Sequence, residues 1–320
     1  MLTPSAGQAA PLIARALHDA YDHCEEIAKR DKPHLYAAAQ RFVFPETRRA
    51  FASAYASMRV IDDYVDGIPD RARLAGSARQ DAVARVDGWL VNVEQAANNG
   101  TVNGPLWRAL SDTFSNFAIP LDPWRNLAAA MRSDLFTPRF SDWPHLKQYM
   151  TGASIAPAIV FMHLVLMHPA GDGRFACPWG YEQVESATAD LAIFCYWTHI
   201  LRDVAIDLDA VDGGLIYIPV ADLDRFGLPV RELREMRQEG KTSEPYRRLA
   251  AFEAGRARRH LSAGKRNLPS ICSAAPEGND AALRYLVETY ETVLDDLESS
   301  GFDVFSKTNP SGRSVVRERV

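Results

Sequence analysis

The sequence is poor in cysteine, and its most apolar segment is short for a helix that crosses a bilayer. Among 320 residues, Cys24, Cys177, Cys195 and Cys272 form neither a CxxC pair nor a regular framework, which excludes a disulfide scaffold and suits a reducing compartment. The most apolar segment, 153–167, is shorter than the roughly 20 residues that a membrane-spanning helix needs and indicates a buried helix. The N-terminus does not resemble a secretory signal, so we expect a cytoplasmic protein with at most peripheral membrane contact.

An excess of positive charge is also missing. The chain has 36 Lys and Arg against 41 Asp and Glu, a formal net charge of -5, so its overall electrostatics predict no nucleic-acid partner. A G-x-S-x-G elbow, a Walker A loop and a dinucleotide fingerprint are absent as well. A polyanionic ligand would therefore need a local basic site or metal ions.

Helical periodicity dominates the apolar pattern, and no convincing alternating strand pattern is flanked by hairpin turns. Hydrophobic residues make up 47% of the chain, which is enough for a substantial core. We predict an all-α protein with one domain over 1–302 and a frayed basic tail over 303–320, because no linker or fixed-period repeat divides the chain. The predicted helices span 8–30, 46–66, 78–97, 104–117, 122–136, 142–168, 180–210, 229–239, 244–268 and 278–300.

The first chemically informative stretch is ASAYASMRVIDDYVDG. Asp62 and Asp66 are four residues apart, so they share one stripe of a helix, and Asp63 lies beside it. Arg59 and Tyr55 continue the stripe by steps of three and four. Three carboxylates within five residues repel one another unless a cation or an arginine offsets them. A solvated acidic helix end is the alternative explanation.

A second stretch, CYWTHILRDVAIDLD, repeats this arrangement. Tyr196, His199, Asp203 and Asp207 step by three, four and four along one helix face, with Arg202 close by. Carboxylates on two facing helices can hold several Mg²⁺ ions, because Mg²⁺ takes one or two carboxylates and completes its shell with phosphate oxygens and water. The two stripes together predict a diphosphate ligand.

With their flanks, these segments resemble the squalene/phytoene synthase family, the all-α head-to-head prenyltransferases. The stretch from Tyr36 through RFVFPETRRAFASAYASMRVIDDYVDG is similar to the first conserved region of the family. The segment MRSDLFTPRFSDWPHLKQY resembles its middle region, and THILRDVAIDLDAVDGGLIYIP resembles its second aspartate region. The resemblance implies the single-domain isoprenoid synthase fold (class I terpenoid synthase fold), with a central cavity between the helices.

The resemblance also implies a reaction and a set of site residues. One prenyl diphosphate, farnesyl or geranylgeranyl, ionises with Mg²⁺, and a second attacks the cation to give a presqualene diphosphate, squalene-type or phytoene-type product. The implied metal ligands are Asp62, Asp63, Asp66, Asp203, Asp207 and His199. The implied catalytic residues are Asp62, Asp66, Asp203, Asp207, Tyr55 and His199. The residues implied to contact diphosphate are Arg59, Arg202 and Tyr217. The residues implied to line the cavity are Tyr36 and Tyr196.

Three positions depart from the family pattern. Tyr196 and His199 stand where the family usually has Gln and a metal-binding Asn. Imidazole is a poorer partner for Mg²⁺, so His199 could instead accept a proton from a cation, donate to diphosphate or serve only as a structural residue. Tyr196 could stabilise a cation through its ring face or fill volume. Leu215 replaces a common Arg, which weakens the expectation that NADPH is used but leaves it open.

Two other functions remain compatible with the sequence. A terpene synthase-type enzyme would ionise a single prenyl diphosphate and cyclise or quench it. A non-catalytic protein with the same fold would act in assembly or lipid binding, but clustered buried acids would bring it no advantage. We therefore expect the head-to-head reaction, in a monomer or a homodimer.

Overall fold

The computed structural model describes residues 6–31, 33–68, 74–100, 102–136, 139–210 and 216–306. The predicted all-α class is confirmed, since helices account for most of these residues. The helices are α1 (Ala6–Asp31), α2 (Pro33–Ala39), α3 (Pro45–Asp66), α4 (Gly76–Ala97), α5 (Pro105–Asn116), α6 (Asp122–Asp134), α7 (Trp143–Met150), α8 (Ala156–Leu166), α9 (Tyr181–Ala210), α10 (Val220–Arg225), α11 (Val230–Glu239), α12 (Glu244–Lys265), α13 (Leu268–Ala274) and α14 (Ala281–Ser299).

The helix predicted over 142–168 is broken where α7 meets α8. A π-helical turn, Thr151–Ile155, separates the two, and the N–H of Ala156 bonds to the carbonyl of Thr151, five residues earlier. Pro157 explains the break, because its ring has no N–H to donate and would clash with the preceding turn of a regular helix. An extra residue in the turn relieves that conflict.

A short antiparallel hairpin, β1 (His168–Ala170) and β2 (Arg174–Ala176), follows α8. No strand is predicted from the apolar pattern of the sequence, and here the prediction was wrong. Phe175 is the buried residue of this hairpin, and its ring stacks on Phe117 at a centroid distance of 4.6 Å. Three residues per strand are too few for an alternating pattern to show in the sequence.

At two glycines, neighbouring helices pack too closely to admit a side chain. A side chain at Gly264 of α12 would meet the Leu191 side chain of α9 at 2.5 Å. A side chain at Gly152 would lie 2.2 Å from the carbonyl oxygen of Asn126 and 2.7 Å from Cβ of Ala130, both on α6. Because the nearest atom at Gly152 belongs to the backbone, that contact cannot be relieved by a rotamer change.

We expect Gly152→Ala to lower the free energy of unfolding by about 1–3 kcal/mol, because α6 must move to admit a methyl group. The matched control is Gly88→Ala on α4, where a Cβ meets nothing within 4 Å. That change should raise the stability by roughly 0.5–1 kcal/mol through the entropy of the unfolded chain. Denaturant titration of both variants checks the pair, and equal responses would contradict the packing argument.

The apolar core extends beyond the predicted domain boundary at 302. The ring of Phe305 is fully buried and packs edge-on against Tyr246 at a centroid distance of 4.9 Å. Residues 303–306 are therefore part of the packed domain and were wrongly assigned to the tail. The remainder of the predicted tail, 307–320, lies outside the described residues.

Within the part of the chain that the structure describes, one helical stretch is long and apolar enough to cross a membrane. It covers Trp143–Leu166, with a mean hydropathy of 1.6 in its most apolar window. Of that window 72% is buried inside the protein, as expected for a core helix, in agreement with the predicted buried helix over 153–167. The four cysteines are free thiols, as the sequence predicts.

Candidate active site

A cavity of about 510 Å³ lies among α3, α6, α7, α8, α9 and α14, with further contributions from α2, the π-helical turn and the segment before α10. Along α3 its lining changes from Phe51, Tyr55 and Met58 to the charged Arg59, Asp62 and Asp66. The stripe from Phe51 to Asp66 is about 22 Å long at 1.5 Å per residue. The cavity is thus amphipathic along its length.

The lining contributed by α9 changes in the same sense. Its first part includes Leu191, Ala192 and Cys195. Three residues of the second stripe follow, namely Tyr196, His199 and Asp207. Burial raises the pKa of the Tyr196 hydroxyl well above its usual value, and the charge of Asp62 on α3 adds to that effect. The charged parts of α3 and α9 thus line the same cavity, as the two acidic stripes predict.

On α3, Arg59 is bound to the aspartates that follow it. Its guanidinium donates to Asp62, and Nη2 lies 2.5 Å from Oδ1 of Asp63. These carboxylates repel one another unless a cation or an arginine offsets their charge, and Arg59 does so. Asp62 and Asp66 line the cavity, whereas Asp63 is not among its lining residues.

On α9, Arg202 holds Asp203 with two parallel hydrogen bonds. Nε and Nη2 donate to Oδ1 and Oδ2, each over 2.7 Å, and both side chains are largely buried. Burial alone would lower the pKa of Arg202, but the hydrogen bonds to Asp203 and its charge outweigh burial and raise it. Asp207, one turn further along, lines the cavity directly.

His199 is bound to the same pair of residues. Its Nδ1 lies 2.8 Å from Nη2 of Arg202, and because arginine can only donate, Nδ1 must be the acceptor. The proton of the neutral ring is then on Nε2, which lies 3.3 Å from Oδ2 of Asp203. Both ring nitrogens have protein partners, so this arrangement favours a role in orienting Asp203 over direct metal ligation.

Aromatic rings form the wall beside the two stripes. Tyr217, which follows α9, packs on Phe140, Tyr149 and Tyr196 at centroid distances of 6.0, 6.2 and 6.4 Å. Tyr149 also donates a hydrogen bond of 2.9 Å to Oδ2 of Asp134. The structure therefore places the predicted residues Tyr196 and Tyr217 together in the cavity wall, next to an acid on α6.

The cavity prediction for Tyr36 was wrong. Among the described residues that line the cavity, α2 contributes Leu35 and not Tyr36. The Tyr36 hydroxyl instead donates to Glu25 of α1, with Lys29 lying 5.5 Å from the ring centroid. Its neighbour His34 is buried and bonds to the hydroxyl of Tyr290 over 3.0 Å.

Sequence reasoning missed Asp134, Tyr149 and Tyr290, which all line the cavity. Asp134 stands within the segment MRSDLF, which was matched to the family as a whole without selecting its acid. It is one of two acids in α6, at the opposite end from Asp122, so no repeated spacing in the sequence marks it. Leu215, the predicted site of a lost arginine, lies outside the described residues.

The donor atoms of the cavity fit Mg²⁺ that enters together with a diphosphate. Within the described ranges, no group of three or more His, Cys, Asp or Glu side chains could hold a metal ion. Mg²⁺ commonly uses only one or two carboxylates and takes its other ligands from phosphate and water. Asp62, Asp66 and Asp207 offer such carboxylates from two sides of one cavity.

The sequence model of the squalene/phytoene synthase family matches residues 28–319, nearly the whole chain. The chain belongs to the squalene/phytoene synthase family. As a member of this family it is a prenyltransferase. The chain is similar to phytoene synthase 2, chloroplastic, of Solanum lycopersicum, at 27% identity over 291 residues, which cover 91% of this chain and 85% of that protein.

This squalene/phytoene synthase family member has two further informative relatives. The 15-cis-phytoene synthase of Synechocystis sp. is 28% identical over 297 residues, covering 91% of this chain and 80% of that protein. The crystal structure of squalene synthase HpnC from Alicyclobacillus acidocaldarius superposes with a TM-score of 0.71 at 22% identity, covering 89% of this chain and 95% of that chain. The second likeness confirms the predicted isoprenoid synthase fold.

Proposed function

We propose that the protein is a Mg²⁺-dependent enzyme that joins two prenyl diphosphates head to head and releases diphosphate. The observation that carries this proposal is a single cavity that has carboxylates from α3 and α9 in one region and apolar or aromatic lining elsewhere. A prenyl diphosphate has the same division, with all its charge at one end of a hydrocarbon chain. Farnesyl and geranylgeranyl diphosphate are the proposed substrates.

The acidic stripes would bind the charged end of the substrate. Asp62, Asp66 and Asp207 present carboxylate oxygens to the cavity and would hold Mg²⁺. When bound, the metal stabilises the diphosphate as the C–O bond breaks. Arg59 and Arg202 keep the neighbouring carboxylates in place and bring guanidinium groups to the same region.

The aromatic wall would protect the cation that ionisation leaves. The rings of Tyr149, Tyr196 and Tyr217 offer π faces and exclude water from the cavity. The hydroxyls of Tyr149 and Tyr196 stay protonated at neutral pH, since burial raises the pKa of both well above the usual value. We propose that Tyr196, in place of the family's Gln, helps to stabilise this cation.

In the decisive experiment, purified protein is incubated with Mg²⁺ and either farnesyl or geranylgeranyl diphosphate, with and without NADPH. The hexane-extractable products are then identified. A hydrocarbon or presqualene-type diphosphate made of two joined chains supports the proposal, and its dependence on NADPH shows whether the reduction occurs. A product of one chain would identify a terpene synthase-type reaction instead. If no prenyl diphosphate of any length is consumed, both reactions are excluded and a non-catalytic role remains.

We further propose that the enzyme works in the cytoplasm as a monomer or a homodimer. Its four free thiols suit a reducing compartment. A hydrocarbon product is insoluble in water, so we expect contact with a membrane surface at product release. Sedimentation of the purified protein with and without lipid vesicles measures both the oligomeric state and this contact.

A further inference from the structure

A buried cluster of charged side chains lies outside the cavity, where α12 meets α10. Glu253 of α12 is fully buried, and its Oε2 accepts a hydrogen bond of 2.5 Å from Nη1 of Arg256. The same Nη1 donates to Oδ2 of Asp222 on α10 over 3.0 Å. One guanidinium thus joins two carboxyl groups on different helices, and the side chains of Arg256 and Asp222 are each only 11% exposed.

Arg256 also makes a contact with a third element. Its guanidinium lies over the ring of Trp143, the first residue of α7, at 4.2 Å from the centroid. Trp143 in turn packs edge-on against the buried Trp197 of α9 at 5.2 Å. Arg256 therefore connects α12 with both α10 and α7.

These two connected elements adjoin the aromatic wall of the cavity. The backbone N–H groups of Val220 and Ala221 donate to the carbonyls of Phe140 and Ser141, each over 2.9 Å. The chain entering α10 is thereby tied to the chain entering α7. Tyr217 lies three residues before α10, and Tyr149 is on α7 itself, so the position of these two elements sets the position of both rings.

The charge of the cluster depends on one proton. With both carboxyl groups ionised, the three side chains carry a net negative charge in a buried place, whereas a proton on Glu253 makes them neutral. Burial raises the pKa of Glu253 from 4.5 to about 8; the charge of Arg256 opposes this rise and that of Asp222 adds to it.

The other charged groups around α12 have their own contacts. From α9, Asp190 bonds to His260 over 2.7 Å, and from α14, Asp295 and Glu298 bind Arg258. From α10, Arg225 lies 4.5 Å from the ring centroid of Phe252.

We propose that Arg256 is a positioning residue that holds α7 and α10, and with them Tyr149 and Tyr217. The contact of Arg256 with α10 and α7, called the joint below, is closed while Glu253 is protonated and loosens when Glu253 ionises. The inference rests on the proposed function only for its catalytic consequence. The joint itself is a property of the folded protein and can be measured without substrate.

The test compares wild type with Glu253→Gln, which keeps the shape of the protonated side chain and cannot ionise. The control is Glu288→Gln, which removes the same charge from an exposed position on α14. Because the pKa of Glu253 is raised on folding, its stabilising contribution is complete below 4.5 and is lost as the pH rises through about 8. The melting temperature of wild type should therefore fall over this range relative to Glu253→Gln, while Glu288→Gln follows wild type.

Hydrogen exchange locates the effect. At about pH 9, amides in 139–150 and 216–225 should exchange faster in wild type than in Glu253→Gln, and below about pH 4.5 the two proteins should agree. Comparison at one pH cancels the intrinsic pH dependence of exchange. Arg256→Lys is a second variant, which keeps the charge but not the planar guanidinium that lies over Trp143, and should speed exchange in both segments at each pH.

The catalytic readout is the pH profile of kcat/KM with a prenyl diphosphate. Between about pH 7 and 9, wild type should lose about tenfold in kcat/KM relative to Glu253→Gln, since about a tenth of Glu253 stays protonated one unit above its pKa. If the melting temperature and the hydrogen exchange of wild type and Glu253→Gln depend on pH in the same way, the inference is overturned. A difference in melting and exchange without any turnover would keep the joint and refute the proposed function instead.

Discussion

Asp62→Asn and Asp207→Asn each lower kcat/KM for prenyl diphosphate consumption by about a thousandfold or more, while the protein stays folded. Each change removes one anionic oxygen donor from the cavity and keeps the size of the side chain. Loss of one group that stabilises developing charge in a water-excluded site commonly costs a factor of about 10²–10³, and weakened metal binding adds to it. Single-turnover assays over a series of Mg²⁺ concentrations provide the measurement.

The matched control for both variants is Asp19→Asn on the exposed face of α1, which removes the same charge far along the chain from the two stripes. It should leave kcat/KM within about twofold of wild type, as expected for a substitution on the surface. High Mg²⁺ should restore part of the activity of Asp62→Asn if the carboxylate acts through the metal. Activity equal to that of the control in either cavity variant would show that the carboxylates do not bind the metal.

Arg202→Met lowers the free energy of unfolding by about 3–5 kcal/mol, the largest loss of stability that we expect from one change at the site. The guanidinium is 7% exposed and satisfies both oxygens of Asp203, which is itself 13% exposed. Removing it leaves a largely buried carboxylate without the guanidinium that satisfies both of its oxygens. Denaturant titration at neutral pH measures the effect.

A double variant separates the lost ion pair from lost packing. Arg202→Met combined with Asp203→Leu should regain most of the stability, because no unpaired charge remains buried. Arg258→Met is the comparison at an exposed pair, where Arg258 contacts Asp295 and Glu298, and it should cost less than about 1 kcal/mol. If Arg202→Met costs no more than Arg258→Met, the buried pair does not contribute as described.

The long elements and the acidic stripes could be predicted because their signals are local. Asp62 and Asp66, and likewise Asp203 and Asp207, are one helical turn apart, so spacing alone places each pair on one face. The resemblance to a known family then placed the two faces together. The short helices α2, α10 and α13, with six or seven residues each, gave too few turns for a periodic pattern to be recognised.

Other parts of the site depend on contacts between distant segments. Glu253 and Arg256 are three residues apart, a spacing typical of a solvated helix surface, and only the packing of distant segments, among them Asp222 on α10 and Trp143 on α7, covers them. Tyr36 was expected in the cavity because it begins the first conserved segment, but its hydroxyl bonds to Glu25 of α1 instead. The division of roles within the second stripe, where Arg202 and His199 bind Asp203 while Asp207 lines the cavity, also required coordinates.

The direction of the two acidic helices affects what can enter the cavity. Asp66 is the last residue of α3, and Asp207 lies in the last turn of α9, so both carboxylates are at carbonyl ends of helices. Each such end carries about -0.5 of an elementary charge, which adds to that of the aspartates. A bare diphosphate is repelled by this concentration of negative potential, whereas one already neutralised by divalent cations is not. Under the proposed function, the site would therefore select its substrate by the number of cations bound to the diphosphate, before any contact with the hydrocarbon chain is made.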